Sequence, residues 1–366
     1  MEIVEAGPDI DAFVKQPLEI YAGDPFYPTP IFREMRKHLT PENPFFDHAE
    51  VRFFLAMEGG RPLGRIASVV NHNHIGYHGE KAGFFGFFEC VEDAEAARAL
   101  LDRAAGVLAD RGMRRMLGPM SFSTNDECGM LVEGFEEPPI LMTPYNPPYY
   151  PRLMEACGMR KAKDLYAYIY EVGDALPGKV LNVAEAAEGK GIRARPLRMR
   201  DFRSEMRIFQ EVYNSAWSEN WGFVPITDGE LDYMAGKLRE AMVPELTLIA
   251  EAPGGEPVGF MGLIPDFNLV LRHLHGRLNP LTAMKALYYS KRITDLRLLL
   301  LGVKKEYRLR GIEALLFREG FKGIKKGHYR RVELSWILED NFRVMRLAEM
   351  FDARHYKTFR IYERGL

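Results

Sequence analysis

The chain has 366 residues, and its hydrophobic content of 47%, with 12% aromatic residues, is enough for packed cores and excludes a disordered chain. The length predicts two domains. Lysine and arginine (49) nearly balance aspartate and glutamate (51), and the resulting net charge of −2 excludes a general polyanion binder, so we expect no nucleic-acid partner.

The three cysteines have no short metal-ligand spacing, which predicts reduced thiols in a cytoplasmic protein without a metal site. The N-terminus is acidic and mixed, so it lacks the composition of a signal peptide. No apolar run reaches the length of a membrane span, and we therefore expect no stable membrane insertion.

The hydrophobic pattern of the first half alternates between strand and helix periods. Its clearest feature is a hairpin whose two strands meet at Gly59 and Gly60. A helix rich in alanine and leucine ends at Gly112, because glycine commonly follows the last helical turn. The predicted elements are a strand at 2–4, helices at 13–21 and 32–39, strands at 51–56, 63–70 and 81–89, a helix at 94–111, a strand at 115–122, a helix at 149–157 and a strand at 165–171.

The second half repeats the first. Gly60-Arg-Pro-Leu-Gly64 matches Gly255-Glu-Pro-Val-Gly259 at an offset of 195, and Leu153 matches Leu347 at an offset of 194. We infer an internal duplication. The predicted domains are 1–172 and 191–366, joined by a linker helix at 173–190. The second domain has a strand at 192–197, a helix from 201, hairpin strands at 246–251 and 257–260, an inserted helix at 281–292, a strand at 296–303, a helix from 312 and a strand at 332–337.

A basic turn joins the apolar strand at 296–303 to the helix that follows it. Backbone N–H groups at a helix N-terminus are unpaired and carry the positive end of the helix dipole, which suits a phosphate. Arg308 and Arg310 add positive charge, and Gly311 lets a ligand approach the backbone. The turn therefore predicts a diphosphate cradle, and the alternative is an ordinary strand-to-helix turn with a solvated basic face.

The order of elements, together with Arg308-Leu-Arg-Gly311-Ile-Glu313, resembles the GNAT superfamily of acyl-CoA N-acyltransferases in a tandem arrangement. The resemblance implies an α/β fold of two tandem GNAT-like domains, each a mixed, mostly antiparallel sheet flanked by helices. It also implies that amides near the turn hold the diphosphate of acetyl-CoA or another acyl-CoA, and that the preceding strand edge pairs with the pantetheine arm. The implied acyl-CoA residues are Leu301, Val303, Arg308, Arg310, Gly311, Ile312, Glu313, Ala314 and Asn341.

Two positions depart from the GNAT pattern. Glu313 replaces a small residue, and a tyrosine that often protonates the leaving thiolate in this superfamily would fall near Ala348. The first half departs further, because its matching strand ends in Cys90-Val-Glu-Asp93, which has no arginine or glycine and two carboxylates. A diphosphate there would meet like charge. The first domain is therefore predicted to be a degenerate copy with a structural or acceptor-binding role.

The predicted acceptor-binding residues lie in two loop regions. In the first domain, polar loops beyond a strand end contain Asn125, Glu127, Tyr145 and Asn146, and the alternative for these side chains is that they satisfy their own backbone. In the second domain, an aromatic loop contains Trp217 and Trp221, and the alternative there is a hydrophobic lid.

Glu89 and Glu219 are the candidate catalytic bases. Glu89 is at a strand end where the superfamily often places a base, and a structural role is the alternative for it. The insert at 269–292 allows two roles, packing between domains, which we favour, or contact with a membrane surface or an apolar acceptor.

The resemblance implies an acyl-CoA-dependent N-acyltransferase, and we expect acetyl transfer to a primary amine of a small molecule by a monomer or homodimer. A neutral amine would attack the thioester carbonyl, backbone N–H groups near Val303 would stabilise the oxyanion, and a base would remove the amine proton. The alternatives are a non-catalytic acyl-CoA or metabolite-binding protein, and transfer of a longer acyl or an aminoacyl group.

Overall fold

Strands alternate with helices along the chain, and the computed structural model describes residues 1–7 and 10–366. The strands of the first half are β1 (Glu2–Glu5), β2 (Ala49–Glu58), β3 (Arg61–Asn71), β4 (Ala82–Cys90), β5 (Arg115–Gly118), β6 (Met120–Ser121), β7 (Glu127–Cys128), β8 (Met130–Glu133) and β9 (Arg160–Glu171). Its helices are α1 (Asp11–Lys15), α2 (Pro17–Ile20), α3 (Phe32–His38), α4 (His72–His78), α5 (Ala94–Asp110) and α6 (Tyr150–Ala156).

The second half follows the same alternation. Its strands are β10 (Arg193–Pro196), β11 (Thr247–Glu251), β12 (Pro257–Pro265), β13 (Asp295–Val303), β14 (Arg331–Leu338) and β15 (Arg354–Gly365). Its helices are α7 (Gly178–Gly189), α8 (Phe202–Ala216), α9 (Asp228–Leu238), α10 (Asn268–Leu274), α11 (Pro280–Ser290), α12 (Ile312–Lys326) and α13 (Phe342–Met350).

The compact units of the structure are not contiguous stretches of sequence. Unit 1 comprises Met1–Tyr166, Phe267–Lys291 and Lys357–Leu366, and unit 2 comprises Ala167–Asp266 and Arg292–Tyr356. Compared with the sequence ranges 1–172 and 191–366, the inserted helices α10 and α11 and most of β15 therefore belong to unit 1, and the linker helix α7 belongs to unit 2. For β15 the reason is that a strand joins the sheet in which its backbone N–H and C=O groups find hydrogen-bond partners, whatever its place in the chain.

Unit 1 has a sheet of order β1-β2-β3-β4-β5-β15 in which β8 also pairs with β15. Neighbouring strands are antiparallel except for the parallel pair β4 and β5. Asp93 caps the N-terminus of helix α5, and its carboxylate accepts hydrogen bonds from the N–H groups of Glu95 and Ala96. Its apolar side chains, among them Leu100, Ala104 and Leu108, recur at helical spacing and are buried in the core of this unit.

Unit 2 has a sheet of order β10-β11-β12-β13-β14, again antiparallel except for the parallel pair β13 and β14. Helix α8 buries Met206, Phe209 and Tyr213 in a core cluster that also contains Phe260 of β12. The predicted fold class, an α/β fold of mixed, mostly antiparallel sheets flanked by helices, is therefore confirmed. Among the described residues, no helix is both long enough and apolar enough to cross a bilayer.

In each unit the parallel strand pair separates and leaves a gap, which we call the fork. In unit 2, β13 pairs with β14 from Asp295 to Leu298, and β13 then continues to Val303. In unit 1, β4 pairs with β5 from Ala82 to Phe84 and continues to Cys90. A register shift against the preceding strand accompanies both separations. The forks matter because β13 and β4 each present an edge beyond this point that the parallel neighbour does not cover.

Candidate functional site

The fork of unit 2 exposes backbone groups of β13. The N–H of Lys304 donates to the carbonyl oxygen of Val258 at 2.9 Å, and Gly259 lies opposite Val303. Because bonded and non-bonded pairs alternate along antiparallel strands, the N–H and C=O groups of Leu301 and Val303 point away from β12, towards the fork. Within the described part of the chain, this edge has no strand partner beyond Leu298. An extended ligand could therefore pair with Leu301 and Val303, as the sequence predicts for the pantetheine arm.

The predicted cradle is the N-terminus of α12. Gly311 is the N-cap with φ 85°, and the first bond of the helix runs from the N–H of Leu315 to the carbonyl oxygen of Gly311. The N–H groups of Ile312, Glu313 and Ala314 therefore lie in the first turn, where a helix has no internal acceptors for them. Together with the helix dipole they favour an anion at this place.

The cradle glycine is required for two reasons. Its positive φ favours glycine, and a β-carbon added to Gly311 would lie 2.8 Å from the carbonyl oxygen of Val183 and 3.4 Å from the β-carbon of Ala187. Both of these residues belong to α7, so the helix predicted as a linker packs directly against the cradle. No local pattern in the sequence indicates this contact.

The two arginines of the cradle have different surroundings. Arg308 donates to the carbonyl oxygen of Ala216 at 2.7 Å and lies 3.9 Å from the Glu219 carboxylate, so it ties the turn to the end of α8. Arg310 is exposed, lies over the ring of Tyr307 at 4.8 Å and donates to a carbonyl oxygen of its own turn. Of these two arginines, Arg310 is therefore the one that is more accessible to a ligand.

The carboxylate that departs from the GNAT pattern is neutralised. The side chain of Glu313 forms an ion pair with Arg343 at the start of α13. Asn341 is the N-cap of that helix, and its side-chain oxygen accepts a hydrogen bond from the N–H of Val344 at 3.3 Å. Glu313 therefore does not present an unpaired negative charge to a diphosphate, and the observed role of Asn341 is that of a helix cap.

The aromatic loop of unit 2 covers the end of β13. A β-carbon at Gly302 would lie 2.2 Å from the ring of Trp217, and this ring stacks on Tyr213 at 4.8 Å. Trp221 is half-buried in the same loop. Glu219 is exposed and lies 3.0 Å from the ammonium of Lys305, which lowers the pKa of the Glu219 carboxyl. That direction is unfavourable for a general base near neutral pH.

A narrow apolar cleft lies in unit 2 beside the same strand. It is formed by α8, by α9 and the residues after it, and by strands β11 to β13, and its free volume is about 30 Å³. At this size the cleft is nearly closed by its own side chains, several of which are flexible methionines. The lining residues are Met206, Phe209, Met234, Leu238, Met242, Thr247, Phe260, Gly262, Leu263, Ile264, Leu299 and Leu300.

A buried polar network at the base of the unit 2 fork was not predicted. Arg297 and Glu333 lie opposite each other on β13 and β14 with 3.9 Å between their charged groups, and both are almost fully buried. Arg297 donates to the Ser335 hydroxyl at 3.0 Å, and the Tyr356 hydroxyl donates to Glu333. The detectable sequence signal was a charged residue inside each of two otherwise apolar strands. The network fixes the two strands where they begin to separate.

The fork of unit 1 is filled by the protein itself. A β-carbon at Gly86 would lie 1.8 Å from the carbonyl oxygen of Met120, so β6 crosses directly over β4. The ring of Phe122 then packs on Phe87 at 5.0 Å and stacks on Phe45 at 4.8 Å. Among the described residues, no open strand edge comparable to that of β13 exists at this point of β4. This arrangement agrees with the missing cradle in the first half.

Glu89 lies in a cluster of tyrosines in unit 1. Its carboxylate accepts hydrogen bonds from the Tyr150 hydroxyl at 2.7 Å and the Tyr21 hydroxyl at 2.9 Å, and it lies 3.8 Å from the guanidinium of Arg65. The ring of Tyr27 stacks on Tyr21 at 4.1 Å. Burial raises the pKa of Glu89, against the opposing effect of Arg65. The sequence identified Glu89 but not the residues that surround it, because they come from distant segments.

Of the other predicted acceptor-binding residues, Tyr145 and Glu127 lie near this cluster. The backbone carbonyl of Tyr145 accepts a hydrogen bond from Tyr21 at 3.0 Å, and its hydroxyl donates to Asp24 at 2.7 Å. Glu127 is exposed, and its charge adds to the effect of burial in raising the pKa of Tyr27. These two predicted residues therefore share one region of unit 1 with Glu89.

Asn146 and Asn125 have backbone-supporting contacts instead. The Asn146 side chain accepts from the N–H of Leu131 at 2.7 Å and donates to its carbonyl oxygen at 3.1 Å, as a neighbouring strand would. The N–H of Asn125 donates to the Ser123 hydroxyl at 3.1 Å in a local turn. Neither side chain is brought to Glu89 by these contacts. Across residues 1–7 and 10–366, no group of three or more histidine, cysteine, aspartate or glutamate residues is placed to hold a metal ion.

Two repeated units with forked sheets, one of them with an open strand edge beside a helix N-terminus, define a tandem GNAT-fold protein. No family model matches the chain. A solved tandem GNAT protein from the clavulanic acid biosynthesis pathway has the same fold, with a TM-score of 0.59 over 100% of this chain and 98% of that chain at 12% identity.

Two relatives match nearly the whole sequence. The chain is 33% identical to the bacterial ceramide synthase of Caulobacter vibrioides over 371 residues, which cover 99% of this chain and 96% of that protein. It is 32% identical to Protein YghO of Escherichia coli over 364 residues, which cover 98% of this chain and 93% of that protein. The chain therefore belongs to the family of tandem GNAT-fold acyltransferases that contains these two proteins.

Proposed function

We propose that the protein is an N-acyltransferase that moves a long acyl chain from acyl-CoA to the amino group of a long-chain amine. The observation that carries this proposal is the full-length similarity to the bacterial ceramide synthase. A ceramide is an amide of a fatty acid and a long-chain amino alcohol, so both partners of that product are apolar. This proposal replaces acetyl transfer to a small amine, which was our first expectation, by the alternative of a longer acyl group.

The acyl-CoA site of this proposal is the fork of unit 2. The first-turn amides of α12 and the exposed Arg310 suit the diphosphate, and the edge of Leu301 and Val303 suits the amides of the pantetheine arm. The apolar cleft uses Leu299 and Leu300 of the same strand, and it is lined by methionine, leucine and phenylalanine side chains. The cleft would have to widen to admit an acyl chain, and its flexible methionine side chains, Met206, Met234 and Met242, can move aside for one.

The reaction needs only proton transfer and oxyanion stabilisation from the protein. The neutral amine attacks the thioester carbonyl, a C–N bond forms, the C–S bond breaks, and CoA leaves as a thiolate that takes up a proton. Backbone N–H groups of the fork can donate to the oxyanion of the tetrahedral intermediate. Of the two carboxylates predicted as bases, Glu219 belongs to the unit that contains this fork, but Lys305 lowers its pKa, which is unfavourable for a base, and Glu89 belongs to the other unit.

The test is turnover of purified protein with palmitoyl-CoA or acetyl-CoA and a long-chain amino alcohol such as sphinganine. Free thiol and amide product are measured together, the latter by mass spectrometry. We expect amide formation with palmitoyl-CoA and little with acetyl-CoA. Acetyl-amide as the main product would restore the acetyltransferase assignment, and binding of acyl-CoA without product from an amine series would support a non-catalytic binding protein.

Matched arginine variants test the proposed acyl-CoA site. Arg310→Glu should raise the KM for acyl-CoA by at least about tenfold, since a charge-assisted hydrogen bond contributes about 1.5–3 kcal/mol. Arg200→Glu is the control, because Arg200 is an exposed arginine of unit 2 that lies outside the fork. An equal effect of the two substitutions would argue against the cradle.

A further inference from the structure

The segment Phe267–Lys291 of unit 1 differs in charge from the rest of the protein. It contains no aspartate or glutamate and has four basic residues, so the other parts of the chain contain 45 of the 49 basic residues and all 51 acidic residues. A basic segment in a chain with net charge −2 is a local feature and not a consequence of composition. The basic residues of the segment are Arg272, Arg277, Lys285 and Lys291.

This segment also presents a continuous apolar surface to solvent. Helix α11 has no buried residue, and its large apolar side chains recur at i, i+3, i+6 and i+7, so they form a stripe along one side of the helix. The stripe begins in the turn before α11, and each side chain in it is between 53% and 71% exposed. Its members, which we call the α11 stripe, are Leu278, Leu281, Met284, Leu287 and Tyr288.

The helix that carries the stripe is held firmly on unit 1. Residues Val270 and Leu274 of α10 are buried, and His273 of α10 stacks on Tyr289 of α11 at 3.6 Å. The turn between the helices is fixed because the N–H of Phe32 donates to the carbonyl oxygen of Gly276 at 3.0 Å. The stripe is therefore displayed by a well-anchored helix.

Helix α11 also has a complete N-terminal cap. Asn279 and Thr282 form a capping box, in which each side chain bonds to the backbone of the other residue. A capped helix keeps its exposed side chains in a fixed pattern, so the α11 stripe is a defined surface.

We propose that the α11 stripe docks the protein on an anionic lipid surface, with α11 lying in the plane of the membrane interface. Interfacial helices combine an apolar face with nearby lysine and arginine side chains, and anionic headgroups attract such cations. The absence of acidic residues from this segment fits a negatively charged partner. A second copy of the chain is a poorer occupant, since two surfaces of the same positive charge would repel each other.

The proposal goes beyond acyl transfer and can be tested without it. The full chain is sedimented with vesicles of phosphatidylcholine alone and with vesicles that also contain phosphatidylglycerol. We expect binding to the anionic vesicles, weaker binding to the neutral ones, and loss of binding as the salt concentration rises. Absence of binding to the anionic vesicles would overturn the proposal, whatever the outcome of the activity assay.

Substitutions in the stripe test its apolar contribution. Leu281→Glu combined with Met284→Glu should weaken vesicle binding by at least about a hundredfold, because each side chain contributes about tenfold or more when it is fully buried. The matched control is Leu18→Glu combined with Tyr77→Glu, two exposed apolar residues of unit 1 outside the stripe. Equal loss in both double variants would contradict a specific docking helix.

Charge reversal tests the electrostatic contribution. Lys285→Glu combined with Lys291→Glu should weaken binding by at least about 25-fold, since each basic residue near an anionic surface contributes about fivefold. Circular dichroism confirms that the variants remain folded. Light scattering tests the alternative that the stripe is an interface between two copies of the chain. The membrane proposal is wrong if the wild type is a dimer and the double variant Leu281→Glu with Met284→Glu is a monomer that binds vesicles as the wild type does.

Discussion

The contact between α7 and the cradle makes a quantitative prediction for Gly311→Ala. In the folded chain, alanine at this position has to adopt a φ near 85°, and a left-handed conformation costs about 1–2 kcal/mol for a residue with a β-carbon. Its β-carbon would also lie 2.8 Å from the carbonyl oxygen of Val183 and 2.9 Å from a methyl carbon of the same residue. Forced overpacking of this kind costs about 1–3 kcal/mol. Together these effects predict a loss of about 2–5 kcal/mol in the free energy of unfolding.

Gly255→Ala separates the two contributions. Gly255 has a φ of 90°, close to that of Gly311, but within the described part of the chain no atom outside its neighbouring residues lies within 4 Å of its added β-carbon. This control should therefore lose only the conformational part, about 1–2 kcal/mol. The difference between the two variants measures the packing of α7 on α12.

Urea unfolding followed by circular dichroism provides the stabilities, and a titration with acyl-CoA provides the affinities. Because α12 has to shift to admit the new methyl group at Gly311, its first-turn amides lose their positions, and we expect weaker acyl-CoA binding in Gly311→Ala but not in Gly255→Ala. Equal destabilisation of the two variants would refute the packing of α7 against the cradle. Unchanged acyl-CoA affinity in Gly311→Ala would refute the assignment of the cradle as the diphosphate site.

Three further predictions concern other parts of the molecule. Burial raises the pKa of Glu89, so the folded chain holds the proton of this carboxyl more tightly than the unfolded chain does. The free energy of unfolding should therefore fall as the pH rises from the ordinary glutamate range through the raised pKa. Urea midpoints measured against pH should show this fall in the wild type and not in Glu89→Gln. Met234→Trp should fill the cleft of about 30 Å³ and shift turnover towards shorter acyl chains in a chain-length series, whereas Met350→Trp, outside the cleft, should not. Arg195→Ala should cost about 3–5 kcal/mol in urea unfolding, because Arg195 holds the buried Glu205 through bonds of 2.7 and 3.0 Å.

Each of these predictions has a clear contrary result. An unchanged pH profile in Glu89→Gln would mean that this carboxyl does not titrate as its burial requires. An unaltered chain-length preference in Met234→Trp would exclude the cleft as the acyl site. Arg203→Ala is the control for Arg195→Ala, because Arg203 forms an exposed pair with Asp232, and solvent screens such a pair so that its loss should change the free energy of unfolding far less. Similar losses in both would contradict the burial argument.

The sequence was sufficient for the fold class and for the duplication because both depend on local periodicity and on repeated turns. The strand ending at Val303 and the helix beginning after Gly311 were placed correctly for that reason. Helix α9 was missed although Thr227 and Glu230 have the spacing of a capping box, which the structure confirms. This miss was avoidable, since the signal is local.

Other features depend on long-range pairing, which periodicity does not encode. The sequence does not show that most of β15 pairs in unit 1, or that Tyr21 and Tyr150 would meet on Glu89 from positions far apart in the chain. The insert shows a related limit. The sequence allows two roles for it, packing between domains or contact with a membrane surface or an apolar acceptor, and the structure shows only that α10 buries Val270 and Leu274 whereas α11 buries none of its residues. An apolar stripe in a sequence indicates a contact surface, but it does not identify whether the rest of the chain, a second copy or a membrane covers that surface.

The two units place different groups at one equivalent position of their sheets. Gly64 lies opposite Cys90 and its repeat Gly259 lies opposite Val303, so the preceding residues, Glu89 and Gly302, correspond.

The surroundings of these two residues are complementary. In unit 1 the position carries a largely buried carboxylate, and the backbone at Met120 crosses the fork. In unit 2 the fork is open, and the ring of Trp217 occupies the space that a side chain of residue 302 would need. A glutamate at 302 would have to displace that ring, and an acyl-CoA arm in unit 1 would have to displace β6. Within the described residues neither unit combines an open fork with a carboxylate at this position. Two equivalent copies could compensate for each other's losses. These two units should not, so the loss of Glu89 from unit 1 or of the cradle from unit 2 should have its full effect.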